Sequence, residues 1–312
     1  MFALRLMSVA FSFYILAYCG LSLGVSLSWR LTAKLWRSFT PSSAADFLFG
    51  LRFLPLLGAL AITAVYVVPS YLVLEPLHID EPLGPMLLVL SGVAFAWLIS
   101  ATLRAAAAQR RTSRVLSKWV QGVRGADHGA PFPVLMLPHQ SPILTVAGIC
   151  APRVLVSEAA ATILTREELD LALRHELAHI RHRDNLKKLL LRFAGFPAMA
   201  RLESAWLEMS ELAADDAAVS DSSEALDLAS ALIKLSRFAP VQPHHTVTSA
   251  LFPGTTASLT RRLTRLFNWA VPQNRKGTSY MLPSVAAIAL LAVLTYGPML
   301  SGIHALTEWL VR

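Results

Sequence analysis

The sequence predicts an α-helical integral membrane protein with about four transmembrane helices and a mainly helical α+β domain on the cytoplasmic side. Three observations carry this. Of the 312 residues, 54% are apolar and only 15% are charged, and the mean hydropathy is positive. That is too apolar for an ordinary water-soluble chain of this length. Four stretches reach the roughly 20 residues needed to cross a bilayer. Between the third and fourth lies a long segment holding most of the charge.

The spans are expected at about Leu6–Trp29, Phe53–Leu74, Leu83–Leu103 and Tyr280–Ile303. Pro55, Pro69, Pro283 and Pro298 interrupt them, which membrane helices tolerate. Trp29, Tyr71, Tyr280 and Trp309 fall near the expected interfaces, as aromatic belts do. The first run is long and lacks a small-residue cleavage site, so a retained helix is expected rather than a signal peptide. The domains are therefore residues 1–103 with three spans, 104–279 on the cytoplasmic side, and 280–312 with the fourth span and a short extracytoplasmic tail.

Orientation follows from Lys/Arg asymmetry. The first loop carries Arg30, Lys34, Arg37 and Arg52 against Asp46, while the second carries Glu75, Asp80 and Glu81 and no Lys or Arg. The first loop, and with it the domain of residues 104–279, is expected in the cytoplasm, in a multi-pass protein of the cytoplasmic membrane. That domain holds 22 Lys/Arg and 15 Asp/Glu, or +7 of the chain's net +8. Its charge suits anionic lipid or an acidic stretch of a protein substrate. It is spread out and lacks a binding motif, so no nucleic acid partner is expected. Arg104–Arg124 is expected to continue the third span as a basic helix along the membrane surface. Cys19 and Cys150 lie on different sides of this topology, so no disulfide is expected.

Within the domain, Val134–Leu137, Leu144–Ile149 and Val154–Val156 read as short strands bounded by Pro and Gly. A sheet edge there can receive an extended peptide by strand addition. Thr165-Arg-Glu-Glu168 then fits the capping box that opens a helix, and Leu169, Ala172, Leu173, Leu177 and Ile180 recur at helical spacing. Three turns in stands His175-Glu176-Leu177-Ala178-His179. This is H-E-x-x-H, whose histidines share one helix face and can hold one metal ion. Glu176, at the edge of that face, is placed to take a proton from an attacking water. Zinc would bring that water's pKa to roughly 7.

A catalytic zinc needs a third protein ligand. Glu208, Glu211 and Asp215 lie on one face of a second helical segment. Glu211 is the expected ligand and Glu208 the competing one. Asp215, one turn beyond Glu211, would orient a ligand histidine through its other ring N–H. Asp184 is expected to pair with a neighbouring arginine, and His182 to cover the helix surface. His244 or His245, in a Pro-flanked loop, is a candidate donor to a reaction oxyanion. Leu186–Trp206 reads equally as a half-embedded hairpin or as a buried helical hairpin of the domain.

The chain resembles the membrane-embedded zinc metallopeptidases typified by the beta-lactam-sensing signal transducers of bacteria. The resemblance rests on His175-Glu-Leu-Ala-His-Ile-Arg-His-Arg-Asp184 and on Glu211-Leu-Ala-Ala-Asp215-Asp-Ala-Ala-Val219. Ser141–Ile143 and Ala151–Ser157 upstream, and Leu259–Leu266 downstream, also look like family segments, so it covers about Pro133 to Phe267. It implies a gluzincin-like zinc peptidase domain with His175, His179 and Glu211 as Zn2+ ligands and Glu176 as general base. The implied role is endoproteolysis in transmembrane signalling, on a transcriptional repressor or on the enzyme itself. The best-known members carry a penicillin-binding sensor after the last span. Here only a short tail follows Ile303 and no Ser-x-x-Lys occurs, so sensing is expected of a separate protein. A second copy of the chain is a further partner the sequence allows. The alternative functions are a quality-control or prenyl-protein metallopeptidase and a non-catalytic signalling scaffold.

Overall fold

A computed structural model describes residues 2–29, 31, 39–75, 84–120, 125–126, 133–138, 141–238, 249–250, 256–269 and 296–311. In chain order the elements are α1 (Phe2–Ser28), α2 (Pro41–Ile62), a π-helical turn (Thr63–Val67), α3 (Val68–Leu74), α4 (Pro85–Val120), β1 (Gly125–Ala126), β2 (Val134–Leu137), β3 (Leu144–Ala147) and β4 (Arg153–Ser157). Then come α5 (Glu158–Ile163), α6 (Arg166–Arg181), α7 (Asp184–Phe193), a 3₁₀ turn (Pro197–Met199), α8 (Ala200–Ala218), α9 (Ser222–Phe238), β5 (Ser249–Ala250), α10 (Thr256–Phe267) and α11 (Tyr296–Val311). The chain forms two compact units. One comprises residues 1–30, 51–101 and 273–312, the other residues 31–50 and 102–272.

In the first unit the usual burial pattern is inverted. Ser8, Ser12, Ser22, Arg52 and Thr63 are buried, whereas Leu16, Leu23, Leu57, Leu88, Phe95 and Ile99 face outward. A bilayer rewards that arrangement, because lipid accepts apolar side chains and intramembrane polar ones turn to the bundle interior. Three helical stretches among the described residues are long and apolar enough to cross a membrane: Phe2–Ser28, Pro41–Leu74 and Pro85–Ser117. The second starts twelve residues ahead of its expected start at Phe53. Pro69 lacks the N–H that would bond the carbonyl of Val65, and the π turn immediately before α3 absorbs that break. The expected fourth span lies largely outside the described residues. Its described end, α11, continues eight residues past Ile303. The buried Val9, Val67, Tyr71 and Leu87 form a small core with Ile303 against it. Ser12 Oγ donates to Leu87 O at 3.2 Å.

The second unit is built around a five-stranded sheet in the order β1-β2-β4-β3-β5. β2 and β4 run parallel, and the other pairs are antiparallel. Val134, Leu144, Val146, Val154 and Val156 pack with Leu171 and Ala172 of α6 and with Ala225, Leu228 and Leu232 of α9. The β3–β4 turn depends on Gly148, whose φ is +97°. A Cβ there would meet the Ala151 carbonyl oxygen at 2.6 Å, so no other residue fits. Asn185 Nδ2 donates to Gly148 O at 3.0 Å and ties the start of α7 to that turn. The basic stretch after Leu103 continues α4 as one uninterrupted helix to Val120. The stretch Leu186–Trp206 becomes α7, the 3₁₀ turn and the start of α8, with Leu191, Met199, Leu202 and Trp206 buried.

Candidate metal centre

α6 begins as its sequence demands. The Thr165 side chain accepts the Glu168 N–H at 3.2 Å, and the Glu168 carboxylate accepts the Thr165 N–H at 2.8 Å. Glu168 is also held by Lys234 Nζ (2.7 Å) and Ser230 Oγ (2.6 Å), which lock the start of α6 to α9. The apolar stripe of α6 faces the sheet. Its third turn carries His175, Glu176 and His179 into the interior between α6 and α8, at 0%, 0% and 1% exposure.

α8 brings Glu211 to the same place. Its carboxylate oxygens lie 3.6 Å from His175 Nε2 and 3.6 Å from His179 Nε2, and the two Nε2 atoms are 3.2 Å apart. Metal bonds of about 2.0–2.2 Å in a tetrahedron separate donors by roughly 3.3–3.6 Å. The spacing and the donor set, two imidazoles and one carboxylate, therefore fit zinc or a similar divalent ion. Glu176 adds a second mark of such a site. Both its oxygens are buried without a full hydrogen bond among the described residues, with the Val146 backbone beside it. A carboxylate left this way is available to a water or a substrate.

Behind each ligand stands a partner. His179 Nδ1 is 2.6 Å from Asp184 Oδ2, and His175 Nδ1 is 2.9 Å from Asp215 Oδ1, an angle short of an ideal hydrogen bond. Arg262, from α10, closes the group. Its Nε and Nη2 donate to the two Asp215 oxygens at 2.8 and 2.7 Å, and its Nη1 to Glu211 Oε2 at 3.0 Å. It is only 4% exposed.

The electrostatics follow from this packing. Burial alone would push both acids up. Against it, the two histidines and Arg262 hold Glu211 down to about 2, and Arg262 and His175 hold Asp215 well below the usual carboxylate range. Burial pulls His175 down, but the carboxylates of Asp215 and Glu211 outweigh it and raise it to about 9. Burial wins at His179, which is lowered. Glu176 is pushed up to about 8, chiefly by burial and further by Glu211. A group that exchanges a proton near neutrality suits a general base.

Four expectations need correction or placement. Among the described residues Asp184 pairs with no arginine; it faces His179 across the α6–α7 junction. Arg183 makes this possible with a left-handed backbone (φ 55°), the sole non-glycine in that region among the described residues. Glu208 lies outside the metal cluster and pairs with Arg261. His182 is the C-cap of α6. His244 and His245 lie outside the described residues.

Arg262 is the residue that sequence reasoning missed. The signal was there: Leu259, Leu263 and Leu266 mark the inward stripe of α10, and Arg262 sits on that stripe, a charge where packing expects an apolar side chain.

Residues 83–266, more than half the chain, match the family described as BlaR1 peptidase M56. The match runs from the start of α4 to the inward stripe of α10 and includes every residue of the cluster. No individual curated protein matches the chain.

Proposed function

The chain belongs to the BlaR1 peptidase M56 family of metal-dependent membrane peptidases, and from that premise we propose that it is an integral-membrane zinc endopeptidase of transmembrane signalling. The observation that carries the proposal is the buried His175–His179–Glu211 cluster, with the buried Glu176 carboxylate beside it. When bound, zinc supplies Lewis acidity to the scissile carbonyl and acidifies the attacking water. Glu176 takes the proton from that water and delivers it to the leaving amine. Asp215 and Asp184 hold the two imidazoles in register, and Arg262 holds Glu211 and Asp215 together while neutralising one of their two charges.

The substrate is a protein on the cytoplasmic face, a transcriptional repressor or a segment of the chain itself. The Lys/Arg asymmetry of the first two loops supports that orientation. One observation favours the chain's own segment. The edge of β3, next to the catalytic helix, is paired antiparallel with β5, as Thr145↔Ala250 and Val146↔Ser249. An extended substrate would add to this same edge.

The test uses detergent-purified protein reconstituted with zinc. Cleavage of the chain, or of a co-expressed repressor, should disappear in Glu176→Gln while zinc stays near one per cluster. Cleavage that survives the substitution removes Glu176 from the mechanism.

A further inference from the structure

We propose that Asn185 is a positioning residue for the reaction: its side-chain amide ends the hydrogen-bond ladder along the β5-facing edge of β3 at Gly148, and so fixes the register in which an extended substrate passes Glu176. The inference rests on the reading of the chain as a peptidase that takes its substrate along this edge. The backbone of β3 alternates. Ser157 N donates to Ile143 O at 2.8 Å, so Ile143, Thr145 and Ala147 turn their peptide groups toward β4. Val146 and Gly148 turn theirs to the opposite edge, where β5 pairs and where a substrate strand would lie. The backbone of Val146 is also the part of this edge beside the Glu176 carboxylate.

Asn185 Nδ2 reaches the edge from the first turn of α7 and donates to two of its carbonyls, Gly148 O at 3.0 Å and Val146 O at 3.3 Å. The distances give the two carbonyls different duties. Val146 stands opposite Ser249, and opposed residues whose peptide groups face each other exchange both N–H···O bonds. The longer Asn185 contact leaves Val146 O open to that exchange. The next such pair would form at Gly148. There the Asn185 amide takes the place of the incoming N–H, and the backbone itself leaves the extended conformation at φ +97°. An extended chain therefore pairs as far as Val146 and leaves the edge beyond it. Because the pairing is antiparallel, the part turned away is the N-terminal side of the incoming chain. The stop is also tied to the metal cluster. Asp184, 2.6 Å from His179 Nδ1, immediately precedes Asn185, and the two are 3% and 5% exposed. The separation between ladder end and ligand histidine is thus built into the head of α7.

The experiment uses detergent-purified, zinc-loaded full-length chain carrying Glu176→Gln, which prevents cutting, and a fluorescent peptide with the sequence of residues 243–254 as probe. Two versions of the peptide carry one backbone N-methyl group, at its Ser249 or at its Val247, which the same register places opposite Gly148. Displacement of the chain's own β5 enters every affinity alike and cancels in the ratios. Methylation at Ser249 should weaken binding about two- to tenfold, the worth of one ladder hydrogen bond. Methylation at Val247 should change nothing, a comparison that needs no second variant. In Asn185→Ala, and in Asn185→Asp, which keeps the shape but replaces the donor amide by a carboxylate, methylation at Val247 should become as harmful as at Ser249. A role confined to holding α7 in place would weaken all three peptides together. A penalty at Val247 with Asn185 present overturns the proposal, as does its absence in both variants or failure of the parent peptide to bind. The peptidase reading is judged apart, by zinc content and by Glu176-dependent cleavage, so either can fail without the other.

Discussion

His175 and His179 stand four residues apart on α6, as His304 and Glu308 do on α11, and in each case a carboxylate from another helix completes the group. The surroundings differ. In the first cluster Asp215 and Asp184 stand behind the two rings, and Arg262 bridges Asp215 to Glu211. In the second, Arg5 lies 3.5 Å from Glu75. The comparison teaches that ligands alone bring donors near one another. In the first cluster the residues behind the donors hold their charge states, as outer partners do in metal sites generally.

The strongest test of this contrast is Glu176→Gln, which touches chemistry and no support. Cleavage should fall by roughly a hundred- to ten-thousand-fold, the usual worth of a general base, with zinc content unchanged. Next comes Arg262→Ala. It leaves Glu211 and Asp215 buried together without their cation, so stability should fall by about 3–5 kcal/mol, read as a drop in the thermal midpoint. Arg262→Lys should restore charge but not the two-pronged contact, giving an intermediate midpoint. If Arg262→Ala leaves both the midpoint and zinc affinity intact, the bridge is decorative and the contrast between the clusters fails.

Asp184→Asn keeps shape and removes charge behind His179. Zinc affinity should drop about 10–100-fold, measured by competition with a chelator of known affinity. The smallest effect concerns the helix that carries the motif. Burial pushes Glu168 up, but Lys234, Ser230 and the Thr165 N–H outweigh it, so its pKa is lowered on folding. The sign follows: its stabilisation is present above the unfolded value of roughly 4.3 and is lost as pH falls through the lower folded value. Glu168→Gln should cost about 1 kcal/mol at neutral pH, and its midpoint should converge with that of the wild type in acid.

The parts of the molecule legible in sequence are those written locally. The capping box fixed the start of α6 at Thr165, and the apolar spacing fixed the inward face that carries His175 and His179. The strands at Val134–Leu137 and near Val154 stood out as short apolar or β-branched runs bounded by proline. What stayed hidden was set by distance along the chain. Asp184 meets His179 because Arg183 turns the backbone through a conformation that arginine seldom adopts, and no propensity announces that. Arg262 meets residues about fifty positions upstream. β5 is two residues long and carries no periodicity at all; its existence is a property of β3's edge. The early start of α2 at Pro41 was masked by polar residues that a hydropathy count discards.

The pairing of β5 with β3 has a consequence for how strongly any substrate can bind. An edge already occupied turns capture from addition into exchange. The incoming strand forms the ladder hydrogen bonds that the outgoing one gives up, so the backbone contributes almost nothing to the difference. Discrimination then rests on side chains. Apparent affinity scales with the fraction of time β5 is released, so release for one part in a hundred weakens binding about 100-fold. If substrate adds to this edge as proposed, any event that loosens residues 249–250 is expected to activate, without touching a ligand of the metal.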